Sequence, residues 1–196
     1  MNKKFVALSI ALSAATLSSS AFAALDGGQI SFAGLVSDNT CNMSVNNGAQ
    51  DAEIQLETAT VTEVKTAGEV KSNAIGAKPK AFAITVDCSA SGTAPSDADL
   101  VMTSQFRSNS QGTLDNDLSI DNPAQGVNLA IHQLDTKSGS YTKVNVDGEE
   151  THRQSFDADL KATWSFVASY VAQNTAVTQV AAGFVKTNAA YTLTYN

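Results

Sequence analysis

The chain has 196 residues, with 19 Asp and Glu against 12 Lys and Arg and a net charge of −7. An acidic chain with no basic cluster lacks the electrostatic footprint for nucleic acid or anionic lipid. Its length suits one domain around one sizeable core.

Residues 1–23 read as a cleaved secretory signal. Lys3 and Lys4 precede an apolar run from Phe5 to Leu17, and Ala21-Phe22-Ala23 is a small-x-small cleavage site. The run is too short to span a bilayer, which needs about 20 residues. No later stretch is long and apolar enough for a transmembrane helix, so no membrane insertion is expected. Without Lys3 and Lys4 the mature chain from Ala24 carries 10 basic against 19 acidic residues, a net −9.

The mature start places Gly28, Ile30, Phe32 and Gly34 in one alternating phase. Ile30 to Val36 is either the first strand of the chain's own sheet or a segment that docks elsewhere. Gly27-Gly28 weakens a self-standing strand and permits close approach to another backbone. Cys41 and Cys88, 47 positions apart, are the chain's two cysteines. In an exported chain such a pair reads as a disulfide. Cys-x-x-Cys metal spacing is missing.

From Thr58 to Ile75, Val61, Val64, Ala67 and Val70 recur every three residues, which suits a helical turn or two, or a polar loop. Ala81 to Cys88 alternates, with Phe82, Ile84 and Val86 on one face. Asp99 to Phe106 is another run. Asp115 to Gly126 reads as a long surface loop. Its Asp115, Asp117 and Asp121 resemble a calcium-loop fragment without the required glycine and glutamate, so a solvated acidic loop is the reading. Val127 to Ile131 alternates strictly. Tyr141 to Val146 leads to the turn dipeptide Asp147-Gly148, after which Glu149 and Glu150 are ordinary exposed acids. Trp164 to Val171, Thr178 to Val185 and Ala189 to Tyr195 complete the series. Strands at this density, with Gly, Asn, Asp and Ser between them, indicate an all-β, antiparallel sandwich.

No nucleophile elbow, metal-binding His/Cys cluster or phosphate loop occurs. His132 and His152 are isolated and are assigned to polar surface or edge positions. The chain therefore reads as no enzyme, with no cofactor, metal or catalytic residue. The last run, Tyr191-Thr192-Leu193-Thr194-Tyr195-Asn196, has a strong apolar face and no successor to pair it.

Together these features resemble the chaperone–usher, type 1-like pilin family. Gly27 to Val36 followed by Cys41 is similar to the family's N-terminal extension and first strand. Phe82 to Cys88, Gln125 to Ile131, and Phe166-Val167-Ala168-Ser169-Tyr170 resemble later strands. Gly183, fourteenth from the end, and the penultimate Tyr195 fit the family's C-terminal pattern. Thr58 to Lys80 is longer than the family leads one to expect, which leaves the conformation of 58–80 open.

The resemblance implies an incomplete immunoglobulin-like sandwich lacking its last strand, completed by a donor strand in trans. It divides the chain into a signal (1–23), a donor-strand extension running into the first strand (24–36) and a pilin domain (37–196). Cys41 and Cys88 match the family's disulfide. Gly28, Ile30 and Phe32 become the donor residues. Gly183, Tyr191, Leu193, Tyr195 and Asn196 mark the strand that edges the groove and meets the chaperone, whose basic residues would hold the Asn196 carboxylate. The implied partners are a periplasmic chaperone, an outer-membrane usher and neighbouring subunits in a homopolymer. The implied location is a fimbrium on the bacterial surface. The implied role is major shaft pilin supporting adhesion, with a minor adaptor as the close alternative and a self-complete secreted binding module as the distant one.

Overall fold

The computed structural model describes residues 41–173 and 179–196, and the statements below concern these residues. The expected signal and the expected donor extension with Gly28, Ile30 and Phe32 lie outside the described residues.

The elements in order are β1 (Asn42–Val45), α1 (Val61–Ala67), β2 (Ala77–Asp87), β3 (Asp97–Thr103), β4 (Leu114–Asp115), β5 (Val127–Leu134), β6 (Tyr141–Val144), β7 (Asp147–Ser155), β8 (Lys161–Ala172) and β9 (Ala190–Tyr195). One sheet runs β1-β2-β8-β5-β4, with β6 also paired to β5; the other runs β7-β3-β9. The pairs between these strands are antiparallel.

The core follows from period-two alternation, which sends every second side chain inward. Ile84 and Val86 of β2, Trp164 and Phe166 of β8, and Leu100 and Met102 of β3 are buried together. Phe82 stacks on its cross-strand partner Phe166 at 5.4 Å between centroids. The Trp164 Nε1–H donates to the His152 carbonyl at 2.7 Å, so the indole is buried without losing its hydrogen bond. Cys41 and Cys88 form a disulfide that joins the start of β1 to the end of β2.

In the open segment 58–80, α1 packs at one end of the larger sheet, residues 68–76 form a roof over its outer face, and 77–80 already belong to β2. Helix α1 carries a capping box: Thr60 Oγ1 accepts from Glu63 N–H at 3.2 Å, and Glu63 Oε2 accepts from Thr60 N–H at 2.7 Å. Seven residues are too few for a stable isolated helix. Buried Val64 anchors it in a second cluster with Ala124, Val127, Ala172 and Val180. Beyond α1, Gly68 accepts from Ala172 N–H, and Ser72 accepts from Lys143 N–H. Gly76 passes so close to Tyr170 that a Cβ would run into its carbonyl.

Several expectations change. His132 and His152 are buried, not superficial, at 0 % and 6 % exposure. His132 lies under the roof, its Nε2 on the Lys71 carbonyl at 2.8 Å. His152 faces the core from β7, with Nδ1 on Gln133 Oε1 at 2.7 Å and its ring edge-on to Phe166. Residues 179–185 form no strand; only single bridges, at Ala181 and Phe184, tie them to 123–125. Asp147-Gly148 closes no hairpin, because β6 and β7 belong to different sheets. Gly148 instead takes φ +82° where the β3–β7 register shifts. The acidic loop binds its own backbone, with Asp117 Oδ1 accepting from Ser119 N–H at 2.9 Å.

Candidate functional site: a groove between two open strand edges

Strand β9 pairs only with β3 among the described residues, from Ala98 opposite Tyr195 to Thr103 opposite Ala190. Asn196 N–H donates to the Asp97 carbonyl at 2.9 Å, and the Asn196 carbonyl accepts from Ser96 N–H at 3.1 Å. Antiparallel pairing alternates, so Thr194, Thr192 and Ala190 also turn their backbone groups to β3. Tyr191, Leu193 and Tyr195 therefore present N–H and C=O to the opposite, open side. Their side chains are half-buried against the core. The same three residues offer both a backbone edge and an apolar face.

Beside this edge lies a cleft of about 460 Å³. Its floor is the inner face of the larger sheet, with Phe82, Ile84, Leu129, Ile131 and Ala168, joined by Met102 from β3. One wall is 185–191. The other is 50–56, where Ile54 and Leu56 pack half-buried on the core. Between Asp51 and Ala59 no backbone hydrogen bond is made among the described residues. The cleft thus has an apolar floor and two walls of extended backbone with unfilled hydrogen-bonding positions. At one end the Tyr191 hydroxyl donates to the Gln50 carbonyl at 2.8 Å, linking the walls. The buried Thr187 hydroxyl, in the cleft lining, has no hydrogen-bond partner among the described residues.

The electrostatics are those of a dry surface. Burial raises the Tyr191 and Tyr195 phenols above their ordinary range, with the Asp51 charge adding to the effect at Tyr191. Asn196 Nδ2 donates to Asp99 at 2.8 Å, and Asp99 also accepts two bonds from Arg153, at 2.8 and 2.9 Å. Arg153 first, and Asn196 after it, hold the Asp99 carboxyl below its usual range. Among the described residues no three His, Cys, Asp or Glu side chains are grouped to hold a metal.

The structure brings Tyr191, Leu193 and Tyr195 together on this edge and sets Asn196 just beyond it. Gly183 lies apart, seven residues before β9, pressed on the backbone of 122–124 where a Cβ would collide. There it fixes the approach to the groove rather than its edge. Sequence reasoning missed the second wall. The signal was present: Ala52, Ile54 and Leu56 alternate with acids and a glutamine.

The family model described as "Fimbrial protein" matches residues 30–196. No curated protein matches the chain. Among solved structures, a chaperone–usher pilus determined to explain rod uncoiling is similar at 17% identity and TM-score 0.59, covering 88% of this chain and 97% of that one. The P pilus rod subunit PapA is similar at 17% identity and TM-score 0.56, covering 79% and 99%. These likenesses show a shared fold. No helix among the described residues is long and apolar enough to cross a membrane.

Proposed function

The chain belongs to the fimbrial protein family, structural pilins rather than enzymes, and from that premise we propose that it is a shaft-forming chaperone–usher pilin that polymerises by strand exchange. The carrying observation is the groove, whose two walls have backbone groups free for one intervening strand. Strand addition to such an edge draws affinity from backbone bonds and register from alternate side chains.

The strand is Gly28-Gln29-Ile30-Ser31-Phe32 of another copy. Laid antiparallel to β9, as the strands of this fold pair, it answers the open groups of Tyr191, Leu193 and Tyr195. Ile30 and Phe32 then point to the apolar floor, each contributing roughly 1.5–3 kcal/mol if fully buried. Gly28 brings no side chain, which suits a strand that must pass close to the backbone of both walls. Asp26, in the same phase, would bury a carboxylate at high cost, so docking ends near Gly28. Before assembly the exposed edge invites aggregation, which a periplasmic chaperone prevents by lending its own strand. An outer-membrane usher hosts the exchange, and the product is a surface fimbrium that supports adhesion. A shaft role is preferred because the sequence offers both a groove and a plug, with a minor adaptor as the close alternative.

Hydrogen exchange on the chain carrying Gly28→Leu, whose own extension cannot fill a neighbour's groove, refolded with excess synthetic peptide of native residues 24–36, tests the reading. The Tyr191, Leu193 and Tyr195 amides should gain protection, while Thr192 and Thr194, already bonded to β3, change little. A peptide carrying Gly28→Leu should protect none of the three. Equal exchange with and without the native peptide would refute strand addition at β9.

A further inference from the structure

Phe184 and Leu118 are large apolar side chains left exposed, at 67% and 60%. They sit on two segments bonded side by side. Phe184 N–H donates to the Asn122 carbonyl, and the Phe184 carbonyl accepts from Ala124 N–H, each at 2.8 Å. Asn116 Nδ2 adds a bond to the Phe184 carbonyl at 3.0 Å. Asp117 N–H donates to the Lys186 carbonyl at 2.8 Å, and Asp117 holds Ser119 in a turn around Leu118. The ring is therefore presented on a fixed backbone, the arrangement that lowers the ordering cost of an interface contact.

Its position suggests what covers it. Phe184 directly precedes Val185, the first groove residue of the 185–191 wall. A strand antiparallel to β9 runs toward that end, so it leaves the groove beside Phe184. Building on the groove reading, the donating copy has only residues 33–40 between Phe32 and its Cys41. Such a tether spans at most about 30 Å when fully extended. A domain of this size has a radius of gyration of about 15 Å, so its body is about as wide as the tether is long. The donor's body is therefore held near this end of the acceptor, within reach of the exposed ring.

We propose that the Phe184–Leu118 ridge is the contact surface for the body of the donating copy, a second interface between successive subunits that the groove alone does not supply. Its contribution falls on the dissociation of the assembled polymer. It leaves strand binding itself unchanged, because neither side chain lines the groove.

The test compares wild type with Phe184→Asp and Leu118→Asp, using Phe184→Ser as a milder substitution. Full chains refolded with excess 24–36 peptide should bind it within about twofold of wild type and melt alike, since both positions are exposed. The same chains refolded without peptide should form polymers that dissociate at least about tenfold faster than wild type in denaturant. Wild-type dissociation rates in all three variants, with peptide binding intact, overturn the ridge and leave the groove standing. Loss of peptide binding in the variants alone makes the ridge part of the groove and also overturns the proposal. Failure of wild type to bind peptide removes the groove reading and the ridge with it.

Discussion

His152 donates from Nδ1 to Gln133, and its other ring nitrogen is buried without a partner among the described residues. Burial lowers its pKa from the ordinary 6.5, opposed only in part by the charge of Glu150. The fold therefore favours the neutral ring, and the unfolded chain binds the proton more readily. Stability is full above about pH 6.5 and falls as pH drops below it toward the folded value. His152→Gln should flatten this dependence between pH 7 and 5 in urea unfolding; an unchanged slope would place the effect elsewhere. The carboxylates act in a lower window. Asp87, held at about 2 chiefly by its bonds from Ser89 and then by Lys161, contributes above the ordinary 3.8 and loses its contribution as pH falls toward 2. Neither buried histidine was legible in the sequence. His132 stands in the outward phase of β5, and what covers it is a loop 61 positions away.

Among elements, α1 shows how a weak local signal becomes structure. Four apolar residues spaced by three allowed helix or loop; the Thr60–Glu63 box and the burial of Val64 decide for helix. Thr60→Ala should cost about 1 kcal/mol, read by urea unfolding. A loss near zero would mean that packing alone holds α1. The paired strands of the larger sheet were legible because their apolar residues alternate, as at Ile84-Val86 and Trp164-Phe166. Strand β7 was not, because Asp147 to Ser155 is polar on both faces and only His152 turns inward. Residues 179–185 misled in the other direction. Val180 and Val185 suggest a strand, but Asn116 and the 122–124 backbone capture the segment's hydrogen bonds. The edge of β9 was legible from Tyr191, Leu193 and Tyr195, whereas its opposite wall was overlooked for want of aromatic residues.

At the scale of the molecule, the disulfide closes a 47-residue separation that contains the second groove wall, α1 and the roof. Loop-closure entropy assigns such a link about 4 kcal/mol. A Cys41→Ser, Cys88→Ser chain should lose a comparable stability in denaturant melts, and an unchanged midpoint would show that the sheets suffice. The placement of this link matters under tension. A pull on residues 33–40 enters the described fold at Cys41, at the end of β1 that pairs Asn42 with Asp87. Such a load would peel β1 from β2 one pair at a time, the weakest way to stress a hairpin-like contact. The sulfur bridge carries the force past β1 into the end of β2, which is bonded to β8 from Lys161 to Tyr170. In the proposed polymer, a load would therefore meet this long antiparallel pair before it could strip the four-residue β1.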